Sequence, residues 1–257
     1  MEIRVLAIGD IVGESGLAFL EKRLRPLQRT KGIGFTVVNG ENAAGVGLTR
    51  DHARRIYDAG ADAVTLGNHT FGRMEITGLL DEEKWLLRPA NYTGRMPGRG
   101  CGIFDMGAYS VRVINLIGRC ELNFHADNPF TTADRLLQRD KPTFTLVDFH
   151  AEATSEKLAM GYYLDGRVSA VWGTHTHVPT ADEQILPGGT GYITDLGMTG
   201  PIHSVLGIRP EQSVETFLGG LPGRYQTAPG PCKLQGAIFT LDSTTGRCTA
   251  VERIEVR

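Results

Sequence analysis

Five mainly apolar runs in this chain each stop on side chains that can bind a metal through oxygen or nitrogen. Residues 3–8 lead into Gly9-Asp10, residues 33–38 into Asn39-Gly40-Glu41-Asn42, and residues 63–66 into Gly67-Asn68-His69. The run 143–149 ends on His150, and the run 168–172 leads into Gly173-Thr174-His175-Thr176-His177. Short apolar runs bounded by polar turns read as buried strands. In open α/β sheets, ligands gather beyond the carboxyl ends of the strands. Taken alone, any one of these endings is an ordinary polar turn or cap. Five of them predict a fold that brings the strand ends to one place, and one polynuclear metal site there.

The segments between the runs fit that expectation. Residues 16–28 place Leu17, Leu20, Leu24 and Leu27 at helical spacing. Residues 49–59 read as a second helix, with Thr49 as its N-cap. Strands that alternate with helices imply parallel pairing and right-handed crossovers. The middle of the chain changes character. Residues 102–106 and 110–116 predict a hairpin around Gly107-Ala108, and residues 232–240 and 248–256 predict another. Helices are expected over residues 131–138 and 155–164. Residues 219–231 are rich in Gly and Pro and read as a surface loop rather than a linker. The expected fold is α/β, one domain over residues 1–257 with a two-layer β-sandwich core flanked by helices.

Composition narrows the function classes. The chain has 257 residues, 41% hydrophobic and 22% charged, so disorder is excluded as its general state. A net charge of -2 gives no basic surface for nucleic acid. No secretory signal opens the sequence, and no apolar run approaches the roughly 18 residues of a membrane span. Cys101, Cys120, Cys232 and Cys248 show no C-x-x-C spacing, which suggests free thiols in a reduced, cytoplasmic protein.

The candidate site residues are Asp10, Glu41, Asn42, Asn68, His150, His175 and His177, with His69 beside them. The set mixes oxygen and nitrogen and contains no thiolate, which suits Fe, Mn or Zn better than Ca or Mg. Seven donors are too many for one tetrahedral ion and fit two metals roughly 3.5 Å apart. His-x-His just beyond a strand strengthens the set, because alternate strand residues point the same way. His52 reads as an exposed helix residue, and His125 and His203 as loop residues without a demanding spacing. Asp195, in Thr194-Asp195-Leu196-Gly197, reads as a turn residue or a support for a ligand. No G-x-S-x-G, Walker A or Cys/His pattern is present.

These motifs, in this order, resemble the calcineurin-like metallophosphoesterase superfamily. Gly9-Asp10, Gly40-Glu41-Asn42, Gly67-Asn68-His69, His150 and Gly173-Thr174-His175-Thr176-His177 match its successive blocks. The chain departs from the common pattern at three points. Asp10-Ile11-Val12 lacks the histidine of Asp-x-His, Glu41 replaces the bridging aspartate, and Thr174 is inserted between Gly173 and His175. That variant set, with Thr194-Asp195-Leu196-Gly197-Met198-Thr199-Gly200, is similar to a bacterial subfamily of about this length, the YmdB-like 2',3'-cyclic nucleotide phosphodiesterases.

The resemblance implies a di-metal phosphodiesterase. Asp10, Glu41, Asn42 and His177 would hold one metal, and Glu41, Asn68, His150 and His175 the other, with Glu41 bridging and Asn42 filling the place of the missing histidine. The metals, Fe or Mn, would activate water for attack on a 2',3'-cyclic nucleotide, with His69 as general acid. The expected partner is a small nucleotide rather than a nucleic acid or a membrane, and enzymes of this kind are often homo-oligomers. Two alternatives stand beside this reading. One is a phosphomonoesterase or RNA-end diesterase, and the other a metal-dependent nucleotide sensor with little turnover.

Overall fold

Along the first strand, Val5 and Ala7 face one apolar cluster and Leu6 and Ile8 another, and all four are buried. A strand buried on both faces needs a layer on each side. The computed structural model describes residues 1–122, 125–221 and 223–257. Its elements run β1 (Glu2–Ile8), β2 (Asp10–Ile11), α1 (Gly13–Lys31), β3 (Ile33–Asn39), α2 (Arg50–Ala59), β4 (Ala63–Thr65), α3 (Ile76–Glu82) and β5 (Leu86–Leu87). The middle supplies β6 (Cys101–Asp105), β7 (Ser110–Ile117), α4 (Pro129–Leu137), β8 (Phe144–His150), α5 (Thr154–Leu164) and β9 (Ala170–Thr174). The chain ends with β10 (Gln184–Ile185), β11 (Gly191–Ile193), β12 (Met198–Pro201), α6 (Pro210–Phe217), β13 (Cys232–Asp242) and β14 (Cys248–Val256).

The strands form two sheets. The eight-stranded sheet runs β2-β12-β13-β1-β3-β4-β5, with β14 on β13. The six-stranded sheet runs β10-β11-β9-β8-β7-β6. Between them lies a shared core in which Val5, Ala7 and Phe35 meet Val113, Leu146 and Trp172. Leu17, Leu20 and Leu24 of α1 and Ile56 of α2 cover the outer face of the first sheet. Met160 and Leu164 of α5 cover that of the second. The order of layers is α/β/β/α, as expected. A large apolar side chain fully removed from water in such layers contributes about 1.5–3 kcal/mol.

Local signals explain the element ends. Thr49 caps α2, its Oγ1 accepting from the His52 amide at 3.1 Å. Gly32 ends α1 at φ 62, where its amide meets the Gln28 and Arg29 carbonyls. The two hairpins form as read, and β1, β3 and β4 are parallel. The C-terminal hairpin joins the first sheet at its middle: β13 pairs antiparallel with the whole of β1, Glu2 with Asp242 through Ile8 with Gly236. One boundary differs from expectation. β9 begins at Ala170 and ends at Thr174, two residues later than expected, so Thr174 belongs to the strand. The stretch 219–231 is mostly exposed, with Pro222 outside the described residues. Among the described residues, no helix is long and apolar enough to cross a membrane.

Candidate metal centre

The site lies where the carboxyl ends of β1, β3, β4, β8 and β9 come together, so both sheets contribute. Asp10 follows β1 after one residue, Gly9, whose place is dictated by crowding. A Cβ there would fall 2.1 Å from the Gly197 carbonyl oxygen. Glu41 and Asn42 follow β3, Asn68 and His69 follow β4, His150 ends β8, and His175 and His177 follow β9.

Nε2 of His150 is the centre of one half. It lies 3.1 Å from Glu41 Oε1, 2.8 Å from Asn68 Oδ1 and 3.1 Å from His175 Nδ1. One ring nitrogen carries at most one proton, which can serve only one of these lone-pair donors. A cation among them could serve all. Donor atoms of Glu41, His150 and His175 lie within 4.8 Å of one another.

The other half gathers around Asp10 and His177. Asp10 is fully buried, and its Oδ1 accepts no hydrogen bond. His177 Nε2 stands 3.7 Å from that oxygen, too far to satisfy it, and 3.2 Å from Asn42 Nδ2. An orphaned buried carboxylate oxygen is costly unless a cation completes it. The donors around His150 could hold a metal, and Glu41 stands between them and the unpartnered Asp10 oxygen. Glu41 Oε1 is reached by Asn42 Nδ2 at 3.2 Å and Oε2 by the His69 amide at 3.0 Å.

The buried charges act strongly on one another. Burial opposes ionisation of Asp10, but His177, His150 and the His175 amide together hold it well below the usual carboxylate range. Burial likewise opposes ionisation of Glu41, and His150 and His69 overcome it. Against its own burial, His177 is raised to about 9 by Asp10. Burial and the nearby His150 push His175 down to about 4. A low His175 leaves its nitrogen lone pair free near neutral pH, as a metal donor requires.

His69 lies beside this cluster, its Nδ1 3.6 Å from Glu41 Oε1. Its side chain is 38% exposed, and its Nδ1 lies 2.8 Å from Asn42 Oδ1. The other ring nitrogen has no hydrogen-bond partner among the described residues.

Two expectations are corrected, and the inserted Thr174 acquires a place. His175 and His177 do not reach the site by strand alternation. Both have left-handed backbones, φ 103 and φ 62, and a tight turn sends them to different halves. The inserted Thr174 has a position in the network, with its Oγ1 2.9 Å from His150 Nδ1 and donating to Asp148 Oδ1 at 2.8 Å. His52 is half-buried rather than exposed, with Nε2 3.0 Å from Glu14. His125 and His203 are exposed and join no part of the cluster.

Several supporting residues were not legible beforehand. Asn39 Nδ2 donates to Thr174 Oγ1 at 3.3 Å, and Thr65 Oγ1 donates to Asp148 Oδ2 at 2.5 Å. Burial pushes the Asp148 carboxyl up to about 6. Glu152 Oε2 sits 3.0 Å from His175 Nε2, and the Leu206 carbonyl 3.0 Å from His177 Nδ1. Partners on the far nitrogen of a liganding histidine fix its tautomer and ring orientation. Asn39, Thr65 and Asp148 lie within or beside the apolar runs and Glu152 just after one, but no spacing marks them as supports, and Leu206 comes from a distant segment.

The whole chain has close relatives. The family model for YmdB-like proteins matches residues 6–254. Over 255 residues the chain is 44% identical to the 2',3'-cyclic-nucleotide 2'-phosphodiesterase of Bacillus subtilis strain 168, spanning 98% of this chain and 96% of that one. Among solved structures, a hypothetical protein from Thermus thermophilus aligns with a TM-score of 0.92 at 41% identity over 99% of both chains. A novel phosphatase from Mycoplasma pneumoniae aligns with a TM-score of 0.93 at 34% identity, covering 100% of this chain and 94% of that one.

Proposed function

This chain belongs to the YmdB-like family, and from that premise we propose that it is a metal-dependent phosphodiesterase hydrolysing 2',3'-cyclic nucleotides. We read residues 1–257 as one catalytic domain holding two transition metals, Fe or Mn. Asp10, Glu41, Asn42 and His177 would hold one, and Glu41, Asn68, His150 and His175 the other. The observation that carries the reading is the convergence of Glu41, Asn68 and His175 on His150 Nε2, beside the orphaned Asp10 Oδ1.

Bound metals would supply Lewis-acid charge for the phosphoryl oxygens and lower the pKa of water. The chain's own residues do the rest. Asp10 and Glu41, kept ionised, offset the positive charge at the centre. Asn42 and the Glu41 carboxylate orient His69 through its Nδ1 and its amide, at 2.8 and 3.0 Å. A ribose alkoxide is a poor leaving group, so a proton delivered from the free ring nitrogen of His69 assists P–O cleavage.

The test is turnover by Mn- and Fe-reconstituted protein on 2',3'-cyclic nucleotides, a linear diester, a monoester and RNA ends, with elemental analysis alongside. The reading expects about two metals per chain and preference for the cyclic diester. Preference for the monoester or RNA ends would replace the substrate. Nucleotide binding without turnover would make the protein a sensor.

A further inference from the structure

The two histidines that follow β9 sit in backbone conformations that side chains other than glycine rarely adopt, φ 103 at His175 and φ 62 at His177. Such backbones persist only where the surroundings over-determine them. Thr176, between them, carries the restraint. Its amide and its Oγ1 both donate to Asp195 Oδ2, at 3.2 and 2.8 Å.

Asp195 is itself immobilised. It is fully buried, and the same Oδ2 accepts from Lys157 Nζ at 2.7 Å, while Oδ1 accepts from the Gly197 amide at 2.9 Å. Its backbone is pinned as well, its amide donating to Thr180 Oγ1 at 2.9 Å and its carbonyl accepting from the Thr180 amide at 3.1 Å. Lys157, on α5, is only 2% exposed, and Asp195 is its ion-pair partner. A lysine buried to this degree is rare unless paired. Neither residue touches a metal-donor atom, so the pair adds no donor to the centre and no net charge to its surroundings. It connects a helix of the second layer to the apex of the histidine turn.

Resting on the metal-centre reading above, we propose that Asp195, neutralised by Lys157, is the positioning residue that holds the His175–His177 turn in its metal-ready form. The turn is tethered on its other side by the His175 amide donating to Asp10 Oδ2 at 3.2 Å. Asp195 thus sets where both histidines point, and the two halves of the centre share one support. A change here reaches both halves together, unlike the loss of any single ligand other than Glu41.

The experiment compares wild type, Thr176→Val and Asp195→Asn as full-length apoprotein. Mn²⁺ affinity is measured by calorimetric titration, the Co²⁺ absorption spectrum reports ligand geometry, and apoprotein unfolding is followed separately. Thr176→Val removes one donor and keeps the side-chain shape, so it tests the clamp even if Asp195→Asn folds poorly. The expected result is Mn²⁺ affinity weakened about 10–100-fold with an altered Co²⁺ spectrum, while the Thr176→Val apoprotein unfolds near the wild-type midpoint. Variants that lose stability but keep wild-type Mn²⁺ affinity and Co²⁺ spectrum overturn the proposal and leave Asp195 a structural residue only. Failure of the wild type itself to bind Mn²⁺ or Co²⁺ would instead overturn the metal-centre reading, and this inference with it.

Discussion

Gly67 stands directly against the imidazole of His150: a Cβ at position 67 would fall 2.2 Å from both Cδ2 and Nε2 of that ring. The ring has no room to yield, because it is fully buried and its Nδ1 is packed against Thr174 Oγ1 at 2.9 Å. The first prediction follows from this contact. Gly67→Ala will displace His150 and cost on the order of 10–100-fold in metal affinity or turnover, the usual result of disturbing ligand orientation. Wild-type turnover and metal content in this variant would show that His150 is not needed in its present position.

Glu41→Gln keeps the shape of a fully buried side chain and removes its charge. On the proposed bridging role, which a neutral amide would fill poorly, turnover should fall below about one-hundredth of wild type, beyond the range usual for residues that only support a ligand. The far-UV circular dichroism should be unchanged, since Glu41 lies outside the strands and helices. A normal rate with this variant would reduce Glu41 to a turn residue.

His69→Ala separates an acid from a ligand. Metal content should stay at the wild-type level, while the rate on 2',3'-cyclic nucleotides drops roughly 10²–10⁴-fold, the range for general acid catalysis. On a nitrophenyl diester, whose leaving group needs little protonation, the loss should be smaller. An equal loss on both substrates would assign His69 to substrate positioning instead.

Asp62 gives a pH prediction away from the site. Burial pushes its carboxyl up, opposed by the Thr36 amide, which donates to Oδ2 at 2.7 Å, and by Arg25. A folded-state pKa above the unfolded value of about 3.9 means that the group favours the fold fully below that value. That contribution is lost as pH rises through the folded pKa. Asp62→Asn removes this dependence, so relative to wild type it should be more stable at about pH 7 than at about pH 3.5, by urea midpoints. A stability difference that does not change between the two pH values would refute the assignment.

Much of the site was legible because its residues sit at the ends of short apolar runs, and strand ends are visible in a sequence. Asp10, Glu41, Asn42, Asn68, His69, His150, His175 and His177 all stand at such ends, and the structure brings all eight together. The supports were not legible, because nothing in a sequence marks which distant side chain will face the far nitrogen of a histidine. Lys157 is an ordinary helix residue in the sequence, yet it is buried against Asp195 at 2.7 Å. Glu152 and Leu206 likewise reach His175 and His177 from other segments.

The sequence by itself determined the main elements, parallel strands alternating with helices and two hairpins, and which oxygen- and nitrogen-bearing side chains stand at the strand ends. Those depend on local patterning, which acts within a few residues. Tertiary structure alone decided that β13 lies beside β1, that the two sheets face each other across Phe35 and Trp172, and that His175 and His177 turn to different halves of the centre. These depend on packing and on hydrogen bonds between groups far apart in the chain. A left-handed backbone at two histidines is unfavourable locally, and contacts from distant segments surround it: Asp195 on Thr176, Asp10 on the His175 amide and the Leu206 carbonyl beside His177.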